Sequence, residues 1–173
     1  MDQQNKPLEI ERKYLIRYPD MSLIQNIPNV NVSHITQIYL SVDQKHISER
    51  IRKREFSDKI QYTHTIKRRI TPLTCIEEEV EITEAEYLAL QEKADSKRNP
   101  VYKDRFCIPY DGLTFELDIY PFWQDRAILE VELSSEAQIV MIPKYFTLIK
   151  EVTDDVRYKN KSLAKEVPME NLL

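Results

Sequence analysis

Charged residues of one sign recur at every second position in most extended segments of this chain, and this pattern limits the folds available to it. The first such segment runs from Leu8 to Ile16. With the period of two that a β-strand imposes, Glu9, Glu11 and Lys13 share one face and apolar residues dominate the other. Same-face residues of a strand lie about 6.5–7 Å apart, so both carboxylates can enter one cavity.

The same arrangement repeats through the rest of the sequence. Each later segment that reads as a strand has an apolar face and a charged face. The charged faces are Arg50, Arg52 and Arg54; Lys67 and Arg69; Glu77, Glu79 and Glu81; Lys103 and Arg105; Glu116 and Asp118; and Glu130 and Glu132.

Two architectures accommodate such strands. In an ordinary sandwich the apolar faces meet in the middle and the charges are solvated. In a closed barrel turned inside out, the charges line the lumen and helices cover the apolar exterior. The pattern alone favours neither architecture over the other, but two further points favour the barrel. Amphipathic helices need an apolar surface to cover, and same-sign pairs on a strand are unfavourable unless a ligand or ion compensates them.

The predicted elements belong to the α+β class, with about eight antiparallel strands and a few helices. Thr83 and Glu86 have the spacing of a capping box, which predicts a helix from there to about Ala94. Short helices are also predicted over residues 21–27, 134–143 and 160–165. Because no linker-like or low-complexity segment interrupts the chain, we expect residues 1–173 to form a single domain.

The composition excludes several classes of protein. The 173 residues carry a net charge of −4, without the excess of Lys and Arg that is typical of general nucleic-acid binders. Cys75 and Cys107 have no metal-like spacing. The first seven residues are too polar for a secretory signal, and no apolar run approaches the ~20 residues that span a bilayer. We therefore expect a cytoplasmic protein with reduced thiols and no nucleic-acid or membrane partner, for which a homodimer is one permitted assembly.

A lumen with separate acidic and basic strands has a specific chemical interpretation. Carboxylates bind Mg²⁺ or Mn²⁺ through oxygen, whereas Arg and Lys bind polyanions, Arg with bidentate contacts to phosphate oxygens. Together these groups suit phosphoryl or nucleotidyl transfer, in which positioning and charge neutralisation supply most of the catalysis. The sequence therefore predicts a small-molecule polyanion as the ligand.

The ordered motifs resemble those of the CYTH, or triphosphate tunnel metalloenzyme, superfamily. Glu9-Ile10-Glu11-Arg12-Lys13 has the Glu-x-Glu-x-Lys form that opens the family's sequences. The further matching stretches, in order, are Arg50-Ile51-Arg52, Thr65-Ile66-Lys67, Glu79-Val80-Glu81, Lys103-Asp104-Arg105, Phe115-Glu116-Leu117-Asp118, Leu129-Glu130-Val131-Glu132-Leu133, Glu151-Val152-Thr153-Asp154-Asp155 and Arg157-Tyr158-Lys159-Asn160. The resemblance covers about residues 8–165.

The resemblance implies an eight-stranded antiparallel tunnel that binds a linear triphosphate and needs one or two Mg²⁺ or Mn²⁺ ions. Carried over residue by residue, the metal ligands would be Glu9, Glu11, Asp118, Glu130 and Glu132. The phosphate-binding residues would be Lys13, Arg50, Arg52, Lys67, Lys103, Arg105 and Arg157. Glu9, Glu11, Lys13 and Lys67 would act directly in catalysis, and Glu79, Glu81 and Glu116 would be further acidic residues of the tunnel.

Within the superfamily, the chain most resembles the bacterial inorganic tripolyphosphatases. This implies metal-dependent hydrolysis of tripolyphosphate to diphosphate and phosphate, with weaker activity on nucleoside triphosphates. The alternatives are a class IV adenylyl cyclase, a thiamine triphosphatase, and a polyphosphate- or nucleotide-binding module without turnover. Thiamine triphosphate is less favoured as a dedicated substrate, because the tryptophan that holds the organic group in vertebrate thiamine triphosphatases has no evident counterpart. Trp123, the sole tryptophan, lies in a predicted loop between later strands.

Overall fold

Nine strands and three short helices make up the described chain. The computed structural model describes residues 7–172, so most of the polar N-terminal segment discussed above lies outside it. The strands are β1 (Leu8–Arg17), β2 (Asn31–Tyr39), β3 (Ile47–Glu55), β4 (Ile60–Arg69), β5 (Thr74–Ile82), β6 (Val101–Tyr110), β7 (Leu113–Ile119), β8 (Arg126–Glu132) and β9 (Leu148–Glu151). The helices are α1 (Met21–Gln25), α2 (Glu84–Gln91) and α3 (Asn160–Leu163), with a 3-10 helix at Val156–Tyr158.

The strands close into an antiparallel barrel. Their order around it is β5-β4-β3-β2-β6-β7-β8-β1, and β1 closes the ring on β5, with Glu9 opposite Cys75. Strand β9 pairs with β1 farther along, opposite residues 14–16, and is an extra ninth strand. The barrel is therefore confirmed and the sandwich is wrong. Within residues 7–172, no helix combines the length and apolar character needed to cross a bilayer.

The strand registers turn the charged faces inward. Glu11 is directly opposite Glu132, and Lys13 is directly opposite Glu130, in the β1–β8 pair. The outward faces of β1, β6, β7 and β8 form the largest apolar cluster, together with Ile24 of α1 and Phe146. Because side chains alternate across a strand, one register buries this cluster outside the barrel and the charges inside it.

A second apolar cluster lies beneath α2 and follows from the predicted cap. Thr83 Oγ1 accepts from the backbone N–H of Glu86 at 3.2 Å, and the Glu86 carboxylate accepts from the N–H of Thr83 at 2.7 Å. The helix places Tyr87 against the ring of Tyr62, with centroids 5.0 Å apart, next to the fully buried Ile51. The capping box is confirmed, although the helix ends at Gln91 rather than near Ala94.

The helix predicted over residues 134–143 is wrong, because this segment is irregular. Both the backbone N–H and the hydroxyl of Ser134 donate to the side-chain oxygen of Gln138, at 2.8 and 2.9 Å. The Gln138 side chain thus holds this segment in a local turn stabilised by side-chain hydrogen bonds rather than in a helix. The segment still covers part of the barrel exterior through Val140 and Ile142.

Apolar side chains and the C-terminal segment close one end of the barrel. Leu15 and Ile128 lie on the inward-facing side of their strands but are fully buried against Tyr120 and Leu163. The chain after α3 is held nearby, since the indole N–H of Trp123 donates to the carbonyl oxygen of Pro168 at 3.0 Å. The charged part of the lumen therefore occupies only the rest of the barrel.

Candidate active site

A cavity of about 260 Å³ occupies the charged part of the lumen. Its basic lining residues are Lys13, Arg50, Arg52, Arg54, Lys67, Arg69, Arg105, Lys159 and Lys161. Its acidic lining residues are Glu9, Glu11, Glu77, Glu79, Glu116, Glu130 and Glu132. The cavity is slightly smaller than the ~300–1,000 Å³ typical of drug-sized ligands, so it suits a small, highly charged molecule.

Two of the four glutamates on β1 and β8 are neutralised by lysines. Glu9 Oε2 lies 2.5 Å from the ammonium of Lys67, and Glu130 Oε1 lies 2.7 Å from that of Lys13. Burial alone would raise the pKa of Glu9, but the ammonium of Lys67 overcomes it and lowers this pKa to about 2. Burial likewise opposes ionisation of Glu130, and the charges of Lys13 and Arg105 hold its pKa well below the usual value.

The other two glutamates have no ion-pair partner among residues 7–172. Glu11 and Glu132 face each other across the β1–β8 pair. Burial and the nearby charge of Glu130 raise the pKa of Glu11 to about 7. Burial and the charges of Glu9 and Glu116 also raise the pKa of Glu132. Two uncompensated carboxylates beside a third, all with hard oxygen donors, fit a divalent cation.

Lys67 joins the two acidic strands that flank the barrel closure. Its ammonium lies 2.5 Å from a carboxylate oxygen of Glu9 and 2.5 Å from one of Glu77. Cys75 donates to Glu9 at 3.0 Å, and the ligand atoms of Glu9, Cys75 and Glu77 all lie within 4.8 Å of one another. Glu77 was not among the predicted site residues, although it shares a strand face with Glu79.

Two arginines of β3 line the cavity without a carboxylate partner among the described residues. Arg50 is only 8% exposed, yet its Nε has no hydrogen-bond partner, and the described residues offer this guanidinium no ion pair. Arg52 donates to the side-chain oxygen of the fully buried Gln37 at 3.1 and 3.3 Å, and so has a neutral partner. Burial and the like charges of Arg50 and Arg105 lower the pKa of Arg52 to about 10. An anion here would satisfy both groups.

Two predicted site residues lie beneath the cavity surface rather than on it. Lys103 and Asp118 have completely buried side chains that pair with each other at 2.5 Å. Neither lines the cavity, so direct contact with a phosphate or a metal, as predicted for them, does not follow from this geometry. Arg105 lines the cavity as predicted and pairs with Asp118, Glu116 and Glu130.

Of the three further acidic residues predicted for the tunnel, two line the cavity and one does not. Glu79 lines the cavity and accepts a hydrogen bond from Thr65 at 2.7 Å, and Glu116 lines it beside Arg105. Glu81 does not line the cavity. Its side chain is exposed and accepts from Gln61 at 3.3 Å, because this part of β5 extends past the cavity.

Arg157 does not line the cavity, so its contact with phosphate stays a prediction. Its side chain is 54% exposed and folds back on Asp155, which also caps the 3-10 helix by accepting from the backbone N–H of Arg157. Lys159 lines the cavity instead and donates to the carbonyl oxygen of Thr153 at 2.8 Å. Burial and the nearby charges of Arg69 and Lys13 lower the pKa of Lys159 to about 8. The sequence signal that could have identified Lys159 as a lining residue is its position within the family-like stretch Arg157-Tyr158-Lys159-Asn160.

Comparison with known proteins gives one curated relative and several similar structures. No protein-family model matches the chain. The chain is 34% identical over 166 residues to the inorganic triphosphatase of Nitrosomonas europaea, covering 92% of this chain and 99% of that protein. The crystal structure of the inorganic triphosphatase NE1496 has a TM-score of 0.58 and 31% identity, covering 92% of this chain and 96% of that chain. The PH1819 protein from Pyrococcus horikoshii has a TM-score of 0.57 at 19% identity, over 74% of this chain and 80% of its own, and shares the fold.

A closed antiparallel barrel with acidic and basic strands facing one cavity defines the class of triphosphate tunnel proteins. The identity and coverage of the curated relative extend this likeness to nearly the whole sequence. The chain belongs to the CYTH, or triphosphate tunnel metalloenzyme, superfamily.

Proposed function

We propose that the protein is a metal-dependent triphosphatase that hydrolyses inorganic tripolyphosphate to diphosphate and phosphate. The proposal rests on one observation: uncompensated charges of both signs line the same cavity. Among residues 7–172, Arg50 and Arg52 on one side have no carboxylate partner, and Glu11 and Glu132 on the other have no cationic partner. A polyanion together with a divalent cation would satisfy both sides at once.

The basic residues of the lining would bind the phosphates. Arg50 and Arg52 lie on the same face of β3, about 6.5–7 Å apart along the strand, which lets the two guanidinium groups contact different phosphoryl groups of one linear chain. Lys13, Lys67 and Arg105 reach the same cavity from β1, β4 and β6. All three are held by carboxylates, which keeps their side chains ordered before substrate arrives.

The metal would be held by the glutamates of β1 and β8. Glu11 and Glu132 are available, and Glu9 and Glu130 lie beside them as further oxygen donors. An all-oxygen donor set favours Mg²⁺ or Mn²⁺ over softer cations. A divalent ion in such a site polarises phosphoryl oxygens and offsets their negative charge.

The reaction needs no covalent intermediate on the protein. The oxygen of water forms a bond to a terminal phosphorus, the bridging P–O bond breaks, and its electron pair leaves with diphosphate, while the proton of water is released to solvent. The chain contributes by holding the phosphates with Arg50, Arg52 and Lys67 and by placing positive charge where the leaving group gains negative charge. Lys159 closes the cavity from the C-terminal segment and would contact the same substrate.

An inorganic substrate fits the cavity better than a nucleotide or thiamine triphosphate. Among the described residues that line the cavity, Tyr39 is the only aromatic one, and it is only 5% exposed. Trp123 is buried in the apolar cluster at the closed end of the barrel. No lining side chain therefore offers an open aromatic face to a purine or a thiazole, and we expect only weaker activity on organic triphosphates.

We also propose that the protein resides in the cytoplasm. Cys75 and Cys107 are free thiols, and Cys75 donates to a carboxylate of the proposed metal site. A reducing compartment would preserve this arrangement, so we place the protein in the cytoplasm.

Product analysis tests the function. Purified protein is incubated with tripolyphosphate, ATP or thiamine triphosphate, each with Mg²⁺, with Mn²⁺ and with a chelator, and the products are separated by anion-exchange chromatography. The expected result is phosphate and diphosphate from tripolyphosphate, only with metal. Cyclic AMP and diphosphate from ATP would instead identify a cyclase, and tight tripolyphosphate binding without products would identify a binding module. Either result overturns the proposal.

Two variants assign the metal side of the site. Glu132→Gln should abolish metal-dependent turnover while the fold survives, because the removed charge lies at the cavity rim. Glu78→Gln is the matched control, since Glu78 is an exposed residue on the outer face of β5. Equal activity in the two variants would contradict the assignment.

A further inference from the structure

The turn between β4 and β5 reaches the cavity and has no role in the function as described so far. Within this turn, residues 70–73, both Pro72 and Leu73 line the cavity. The carbonyl oxygen of Pro72 accepts hydrogen bonds from Arg69 at 2.8 Å and from Lys159 at 3.4 Å. Since both cations also line the cavity, this carbonyl group holds two positive side chains beside the proposed phosphate site.

Leu73 connects the same turn to the proposed metal site. The pairing of β1 with β5 ends where Ile10 lies opposite Thr74. One residue farther along, the backbone N–H of Glu11 donates to the carbonyl oxygen of Leu73 at 3.0 Å. A shift of the turn would therefore displace the backbone partner of a proposed metal ligand as well as the acceptor of two lining cations.

Glu136 holds this turn from outside the cavity, where its side chain is exposed. The hydroxyls of Thr71 and Thr74 both donate to Glu136 Oε1, each at 2.5 Å. The hydroxyl oxygen of Thr71 also accepts from the backbone N–H groups of Leu73 at 3.2 Å and Thr74 at 3.0 Å. One carboxylate oxygen, distant in sequence, thus restrains the turn at two points.

The segment that carries Glu136 is itself fixed to β1. The backbone N–H of Leu133 donates to the carbonyl oxygen of Ile10 at 2.8 Å. Arg12 donates to the backbone carbonyl oxygen of Glu136 at 3.2 Å and pairs with Glu151 of β9 at 3.2 Å. Among the residues that the structure describes, only the two threonine hydroxyls donate to the Glu136 carboxylate. Glu136 therefore restrains the turn as a hydrogen-bond acceptor on a fixed base, and not through an ion pair.

We propose that Glu136 is a positioning residue that acts through Thr71 and Thr74. It holds the β4–β5 turn in the form that presents Arg69 and Lys159 to the substrate phosphates. The inference rests on the proposed triphosphatase function, since these phosphates are those of tripolyphosphate. Without Glu136, the turn must be ordered when the substrate binds, and this ordering reduces the binding free energy. The effect should therefore appear in KM and not in kcat.

Kinetics with tripolyphosphate at saturating Mg²⁺ test the proposal. Glu136→Ala should raise KM by about 3- to 10-fold, the range for one lost hydrogen bond, and should leave kcat within about two-fold of the wild type. Glu136→Gln should keep KM within about two-fold of the wild type, because its amide oxygen accepts from the same two hydroxyls.

Glu92→Ala is the matched control, since Glu92 is an exposed glutamate at the end of α2, far in sequence from the turn and from Glu136. A purely structural role would lower the free energy of unfolding of Glu136→Ala and leave its KM unchanged, and this result would overturn the proposal. A Glu136→Gln variant with the KM of Glu136→Ala would also overturn it, because the charge and not the acceptor oxygen would then be responsible.

A double-mutant comparison tests whether Glu136 acts through the turn. Thr74→Val removes the hydroxyl of a side chain that is only 8% exposed and nearly keeps its shape. Alone, it should raise KM in the same direction as Glu136→Ala. Added to Glu136→Ala, it should change KM by less than about two-fold, because the shared hydrogen bond is already lost. Multiplicative effects of the two changes would refute the proposed path.

Amide hydrogen exchange separates this inference from the proposed function. The N–H of Glu11 reports on its bond to the Leu73 carbonyl, and its exchange can be followed in metal-free protein without substrate. This exchange should be about 3- to 10-fold faster in Glu136→Ala than in the wild type and in Glu136→Gln. If the wild type releases no phosphate and the exchange rates still differ in this way, the proposed function fails and the hold of Glu136 on the turn is supported. Equal exchange rates in all three proteins would overturn the inference.

Discussion

Replacing Glu11 by Gln should stabilise the metal-free protein at alkaline pH and abolish its activity. Glu11 lies on the inner face of β1, and no described residue forms an ion pair with it. Burial and the charge of Glu130 raise its pKa from 4.5 to about 7. A carboxyl whose pKa is higher in the folded than in the unfolded state binds its proton more tightly when folded. Its contribution to stability is therefore present below pH 4.5 and is lost as the pH rises through 7.

The size of the effect follows from that shift. Each pKa unit corresponds to about 1.4 kcal/mol, so the shift from 4.5 to about 7 means that ionising Glu11 costs the folded state at most about 3.5 kcal/mol. Because its side chain is only partly shielded from solvent, we expect about 1.5–3 kcal/mol. Gln has nearly the same shape and never ionises. The variant should match the wild type near pH 4.5 and exceed its free energy of unfolding by this amount near pH 8.

Urea denaturation in the presence of a chelator measures the difference at the two pH values. Glu78→Gln serves as the control, since this exposed residue should change the free energy of unfolding by less than about 0.5 kcal/mol at either pH. Adding Mg²⁺ should stabilise the wild type much more than the Glu11→Gln variant, because only the wild type keeps the full donor set. A Glu11→Gln variant that is less stable than the wild type at pH 8, or that retains metal-dependent turnover, would refute the reasoning.

Three other substitutions test other parts of the molecule. Arg50→Met should lower the affinity for tripolyphosphate by about 10- to 150-fold, since it removes a buried guanidinium that has no ion-pair partner among the described residues. Arg68→Met, on the outer face of β4, should bind normally in the same titration. Lys159→Met should raise KM for tripolyphosphate by about ten-fold or more, and an unchanged KM would remove the C-terminal segment from the substrate site. Thr83→Ala should lower the free energy of unfolding by about 1 kcal/mol through loss of the cap of α2, measured with urea, and should leave turnover unchanged.

The side of the barrel on which each charged residue lies could be predicted from the sequence. A strand has a strict period of two, so the apolar face identifies the opposite face without knowledge of the neighbours. The ordered family motifs then selected a closed barrel, and the registers Glu11–Glu132 and Lys13–Glu130 agree with it. The capping box at Thr83 was equally local, because both of its hydrogen bonds lie within four residues.

The depth of a residue along the barrel, and its partner, could not be predicted in this way. Lys103 and Arg105 share one face of β6, yet one is sealed beneath the cavity and the other lines it. Glu9 and Glu11 likewise share one face of β1 and both line the cavity, but their pKa values differ because Lys67 from β4 forms an ion pair with Glu9 and not with Glu11.

The C-terminal segment shows most clearly the difference between what the sequence predicts and what the tertiary structure decides. The motif of this segment predicted that a basic residue enters the cavity. In the structure Arg157 forms an ion pair with Asp155 outside the cavity, and Lys159 is the basic residue that lines it. The sequence by itself determined which residue types face the lumen, because side-chain alternation is a local property of the chain. Only the tertiary structure decided which of them remain uncompensated, because pairing depends on strands that are distant in sequence. The unpaired residues, Arg50 and Glu11 among them, are the ones that a metal and a triphosphate would complete.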